Sequence, residues 1–85
     1  MGWSVYMLRC ADETIYTGVT TDLERRVREH NGEVKGKGAK YTAVRQPVVL
    51  VYSESCSNRS AAQMREYTLR SSSRIEKLRL IKQKI

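Results

Sequence analysis

Early in the chain the apolar side chains keep to odd positions: Trp3, Val5 and Met7 in one run, Ile15 and Val19 in the next. Strand side chains alternate between faces, so this spacing predicts two strands that each turn one face to a core. Both apolar sets reach the same core only if the connection has an odd number of residues. A three-residue loop, Ala11-Asp12-Glu13, satisfies this by pairing Cys10 with Thr14, and a five-residue loop would also serve. In that register Ser4, Tyr6, Leu8, Tyr16 and Gly18 share the other face. Tyr6 then lies opposite Gly18, where the missing side chain leaves room for a ring or a phosphate.

The period then changes. Thr21-Asp22-Leu23-Glu24 matches a capping box, with Thr21 as the cap and Glu24 reaching back to it, and predicts a helix start. Leu23 and Val27, at i and i+4, give that helix a thin buried stripe, and Asn31-Gly32 stops it. Residues 32–47 read as a loop with a helical turn near residues 39–44. The unbroken run Val48-Val49-Leu50-Val51-Tyr52 after Pro47 predicts a central or well-covered strand. Ser57 or Asn58 caps the next helix, with Ala61, Ala62, Met64, Tyr67 and Leu69 as its apolar positions. Ser73-Arg74-Ile75-Glu76 is a second capping box and opens a final helix with Ile75, Leu78 and Ile81 inward. The order β-β-α-β-α-α predicts an α+β fold, a three-stranded antiparallel sheet flanked by helices, in a single domain over residues 1–85.

Composition narrows what such a domain does. A chain of 85 residues has one modest core and no room for a second recognition module. No stretch approaches the roughly 20 apolar residues of a membrane span. The start Met1-Gly2-Trp3-Ser4 has no charged region followed by an apolar one, so a soluble cytoplasmic protein with no membrane partner is expected. Cys10 and Cys56 have no partners at metal spacing and read as two reduced thiols. Sixteen Lys and Arg against nine Asp and Glu give a net charge of +7, which attracts polyanions, nucleic acid first among them. Arg25, Arg26, Arg28, Lys35, Lys37, Lys40 and Arg45 crowd one stretch, and a second basic cluster runs from Arg65 to Lys84.

Four side chains stand out for chemistry. Tyr6 and Tyr16 occupy the face opposite the best apolar stripe, and Arg26 and His30, at i and i+4, rise together from the helix that follows. A phenol near pKa 10 is a poor base unless a cation or a metal-bound water assists it. Arginine's planar fork suits phosphate oxygens and keeps its proton. His30, the only histidine, is either a packed ring or a proton shuttle. Phosphodiester hydrolysis usually recruits a divalent metal, and among the carboxylates Glu66 is set apart by its mid-helix place beside Met64 and Tyr67. Its ordinary role would be an i, i+4 partner of Arg70. One carboxylate fits one Mg2+ (or Mn2+) completed largely by water.

Ser4-Val5-Tyr6 and Tyr16-Thr17-Gly18, with an Arg ten positions after the second tyrosine, resemble the signature of the GIY-YIG endonuclease superfamily. Ser4 and Thr17 stand where the family has Gly and Ile. Residues 23–30, Gly38-Ala39-Lys40-Tyr41-Thr42, Arg65-Glu66 and residues 73–78 look like its small stand-alone bacterial branch (YhbQ-like), related to the Slx-type nucleases. The resemblance implies that Tyr6, Tyr16, Arg26 and His30 line an active site and that Glu66 holds one Mg2+ or Mn2+ ion. It also implies that Gly18 allows close approach, and that Lys40 and Tyr41 contact the nucleic-acid backbone beside Arg25, Lys35 and Lys37. The implied activity is metal-dependent hydrolysis of DNA, branched, flapped or single-stranded, in repair or recombination, with specificity supplied by a protein partner. Two other readings use the same basic surface. One is a non-catalytic nucleic-acid-binding accessory module, and the other an interaction protein whose basic final helix meets an acidic partner.

Overall fold

The structure, a computed structural model, describes residues 2–33 and 36–83. The elements run β1 (Trp3–Arg9), β2 (Ile15–Thr20), α1 (Leu23–His30), α2 (Lys40–Ala43), β3 (Val49–Cys56), α3 (Arg59–Ser71) and α4 (Arg74–Gln83). The three strands form the antiparallel sheet that the α+β reading expected, and their order is β2-β1-β3.

The β1–β2 register is the one the three-residue loop requires. Pairs run from Ser4 with Thr20 to Arg9 with Ile15, and Tyr6 faces Gly18. The turn closes through Cys10 N–H donating to the Thr14 carbonyl and Glu13 N–H donating to the Cys10 carbonyl, both at 2.9 Å. Glu13 takes φ of 70°, the left-handed residue such a loop needs.

Because β1 is central, both of its faces are covered. Its odd residues Val5 and Met7 pack with Tyr52 and Leu69, with Val19, Leu80 and Ile81 around them, beneath α3 and α4. Its even residues Tyr6 and Leu8 pack with Cys10 and Val48, with Tyr16, Leu23 and Val27 around them, beneath α1. Neither cysteine is bridged. Among the described residues no helix is long and apolar enough to cross a membrane.

Four expectations change. The cap of α1 is Asp22, not Thr21: the Asp22 carboxylate accepts from Arg25 N–H at 3.1 Å, while the Thr20 hydroxyl takes Asp22 N–H at 3.0 Å. The apolar run from Val48 belongs to an edge strand, with Val49 48 % and Leu50 38 % exposed. A register shift between Met7 and Leu8 explains the run: Tyr52 pairs with Met7 while Leu50 pairs with Leu8, so the strand changes parity and serves both cores in turn. On α3 the inward positions are Ala62 and Leu69, whereas Met64 and Tyr67 are exposed. On α4 Leu80 and Ile81 meet the core, while Ile75 and Leu78 face solvent. The second capping box is formed as read, Glu76 N–H on Ser73 Oγ at 3.2 Å and Ser73 N–H on Glu76 Oε1 at 3.0 Å.

Candidate active site

The even face of β1 and β2 meets the C-terminal end of α1 in a cluster of rings. Ring centroids lie 6.5 Å apart for Tyr6 and Tyr16, 5.9 Å for Tyr6 and His30, and 4.9 Å for Tyr16 and His30. The strand register places the phenols and the Arg26–His30 spacing brings the helix groups to them. Gly18 is required by this packing, since a Cβ there would sit 2.6 Å from Tyr6 Oη. The space left by the glycine is filled by the tyrosine ring.

Tyr6 Oη lies 2.8 Å from His30 Nε2, and His30 Nδ1 lies 2.8 Å from Thr42 Oγ1. The Thr42 hydroxyl donates its one hydrogen to the Ala39 carbonyl at 3.1 Å. It therefore accepts from His30 Nδ1–H, which leaves Nε2 as the acceptor for the Tyr6 hydroxyl. Burial, then the nearby Arg26 charge, pushes the His30 pKa down to about 4, with Glu29 opposing. Burial also pushes Tyr6 up to about 12, with Arg26 opposing and Tyr16 and Glu29 adding. The two shifts run in opposite directions and both favour the neutral forms, so at neutral pH both groups are uncharged.

Arg26 reaches this cluster from α1. Its Nη1 donates to Glu29 Oε1 at 2.8 Å and to the Lys37 carbonyl at 2.6 Å, tying the loop back to the helix. The loop comes close enough that a Cβ on Gly38 would sit 2.8 Å from the Glu29 carbonyl. Arg25 makes a looser pair with Glu29 at 3.7 Å and is half exposed. Lys37 and Lys40 are exposed, and Lys35 lies outside the described residues.

Tyr6 and His30 are enclosed, 1 % and 0 % exposed, whereas Tyr16 reaches open space. It lines a cavity of about 270 Å³ with Ile15, Thr17, Tyr41 and Arg70. Tyr41 stands 5.9 Å from Tyr16, and the Arg45 guanidinium lies over the Tyr41 ring at 3.9 Å. Arg45 also pairs with Asp12 at 2.9 Å, so the hairpin turn and α2 are joined behind Tyr41.

Glu66 lies on α3, the helix that covers the opposite face of the sheet. Its Oε2 is enclosed with no hydrogen-bond partner and lies 3.3 Å from Arg70 Nε, an ion pair without hydrogen-bond geometry. An enclosed carboxylate oxygen that lacks donors suits a hard cation. Among the described residues no group of three or more His, Cys, Asp and Glu side chains is placed to hold a metal.

Sequence reading did not single out Thr42 as the histidine's partner, nor Glu29 or Arg45. The available signals were a lone histidine whose two ring nitrogens each need a partner, and a carboxylate three residues after Arg26.

A hairpin bearing two tyrosines is thus backed by a helix bearing arginine and histidine. The chain belongs to the GIY-YIG family, whose catalytic-domain model matches residues 2–79. Its relatives are UPF0213 proteins. It is 50 % identical over 80 residues to one from Desulfotalea psychrophila, covering 94 % of this chain and 71 % of that one. It is 54 % identical over 77 residues to one from Natronomonas pharaonis, covering 91 % and 87 %. The solution NMR structure of a UPF0213 protein from Bacillus halodurans superposes with a TM-score of 0.61 at 40 % identity, covering 99 % of this chain and 86 % of that one. An E. faecalis protein, also solved by NMR, gives 0.63 at 35 % identity, covering 98 % and 85 %.

Proposed function

We propose that this protein is a divalent-metal-dependent endonuclease that hydrolyses phosphodiester bonds in DNA. The observation that carries the reading is the division of labour between the two phenols. Tyr6 is enclosed with its proton directed at His30, while Tyr16, against the same imidazole, opens onto the cavity. On this reading Tyr16 is the phenol that meets the attacking water, and Tyr6 and His30 fix its position from behind.

Arg26, anchored by Glu29 and the Lys37 carbonyl, holds a fixed positive charge beside the phenols. A fixed charge of this kind favours the extra negative charge that builds on a phosphate under attack. Glu66 would hold the one Mg2+ or Mn2+ ion, which supplies Lewis-acid polarisation of the phosphate when bound. Lys37, Lys40 and Tyr41 border the site with positive charge and an aromatic ring, and Arg25 and Lys35 extend the basic surface in the sequence. Nothing in the sequence resembles a base-reading helix, so branched, flapped or single-stranded DNA in repair or recombination is the favoured substrate, with a protein partner choosing the target. The domain comprises residues 1–85 and works in the cytoplasm.

The experiment is cleavage of labelled branched, flapped and linear DNA with Mg2+ or Mn2+, comparing the wild type with Arg26→Ala and Glu66→Ala. Losses of about 100-fold or more in both variants are expected. Equal cleavage by all three proteins would overturn the assignment.

A second reading, a nucleic-acid-binding accessory module without turnover, draws on the ion pairs. Arg26 is paired with Glu29 and Glu66 with Arg70. It predicts salt-dependent DNA binding unchanged by Glu66→Ala and no cleavage under any metal.

A further inference from the structure

Arg70 belongs to two groups at once. Its side chain lines the cavity that holds Tyr16, Thr17 and Tyr41, and its Nε lies 3.3 Å from Glu66 Oε2, the enclosed oxygen that has no hydrogen bond. The side chain of Arg70 is 62 % exposed and that of Glu66 18 % exposed, so the carboxylate is held inside while the guanidinium stands at the mouth. An i, i+4 pair with one solvated partner is weak and exchanges readily. A guanidinium on this rim matches a backbone phosphate in charge and in geometry.

We infer that Arg70 is a substrate-binding residue that exchanges partners: it neutralises Glu66 while no cation is bound, and turns to a backbone phosphate of the nucleic acid once a divalent cation engages that carboxylate. This rests on the reading of Glu66 as the metal ligand. The two positive groups compete for one oxygen, so the cation displaces the arginine and frees it for the incoming anion. Arg26 approaches the phenols from α1 and Arg70 approaches Tyr16 from α3, which brings cationic groups from both helices to one phosphate path. The arrangement also keeps the half-buried carboxylate partnered between turnovers.

The test reads binding, not turnover, on the whole chain. Mn2+ affinity is measured by electron paramagnetic resonance for the wild type, Arg70→Gln and Glu66→Gln. Binding of a fluorescent flapped oligonucleotide is measured by anisotropy, in EDTA and in Ca2+, across a salt series. Arg70→Gln is expected to bind Mn2+ several-fold more tightly than the wild type, and Glu66→Gln to bind it far more weakly. In Ca2+ the Arg70→Gln variant should bind DNA about 3- to 10-fold more weakly, with a salt dependence shallower by about one phosphate contact, while in EDTA it should match the wild type. Arg70→Lys, which keeps the charge without the fork, should recover part of the Ca2+-dependent binding. Wild-type Mn2+ affinity and DNA binding in Arg70→Gln, with Mn2+ binding lost in Glu66→Gln, would overturn the exchange and leave the metal assignment standing. Unchanged Mn2+ binding in Glu66→Gln would overturn both. Circular dichroism of each variant checks folding, which an exposed side chain on the last turn of α3 should not disturb.

Discussion

The two faces of β1 differ in what they bury. Toward α3 and α4 the strand presents Val5 and Met7 to Tyr52 and Leu69. Toward α1 it presents Tyr6 to His30 and, through His30, to Thr42, a chain of polar groups closed off from water and satisfied at each link. One strand thus serves stability with its odd residues and orients polar groups with its even ones. The period of two that folds the chain also separates the two tasks, so substitutions on the two faces should fail in different ways.

The largest contrast is expected at Tyr16. Tyr16→Phe should cut DNA cleavage by about 100- to 10,000-fold while the urea midpoint stays near wild type, because the ring still packs and only the hydroxyl is lost. A variant that keeps wild-type cleavage would remove the phenol from the proposed chemistry. On the other face, Met7→Ala should cost about 2–5 kcal/mol of stability, measured by urea denaturation, with the remaining folded fraction keeping its specific activity.

The polar face should also respond to acid. His30 is held neutral, with its pKa pushed from 6.5 down to about 4, so the unfolded chain binds a proton that the folded one refuses. Its contribution is complete above pH 6.5, declines as the pH falls, and is lost by about pH 4, a loss on the order of 3 kcal/mol. Urea titrations at pH 7.5 and 4.5 with wild type and His30→Gln would show it, and an equal acid loss in both proteins would count against the neutral imidazole. The smallest effect is placed at Gly18→Ala. The new methyl group meets the enclosed Tyr6 ring and should cost about 1–3 kcal/mol, with a weakened Tyr6–His30 hydrogen bond visible in the imidazole nitrogen shifts. Unperturbed shifts would mean that the ring moves aside freely.

The hairpin was the most legible part of the chain. The parity of Trp3, Val5, Met7, Ile15 and Val19, together with the length of the loop, leaves little choice of register, and the register puts Tyr6 against Gly18. The capping-box spacing pointed to Thr21 as the cap of α1, but its neighbours Thr20 and Asp22 are good capping residues too, and it is Asp22 that accepts from Arg25 N–H while Thr20 takes Asp22 N–H. The edge position of β3 was hidden by its parity change, which makes a strand serving two cores look like one buried on both sides. Met64, Tyr67, Ile75 and Leu78 misled for another reason: helical spacing says that residues share a face but not that the face is covered. Within the candidate site, Tyr6, Tyr16, Arg26 and His30 followed from spacing, whereas Thr42 arrives from a separate turn. The distance of Glu66 from the rings in the fold depends on how α3 crosses the sheet, which no local pattern encodes.

Tyr16 sits on β2, which among the described residues has a strand on one side only. The cavity beside it therefore opens laterally, at the margin of the molecule. A long polymer can lie across such a margin anywhere along its length, with no free end to thread and no tunnel to enter. On the proposed reading, the place of scission would then be chosen by where the strand can bend into contact, and circular substrates would be as vulnerable as linear ones.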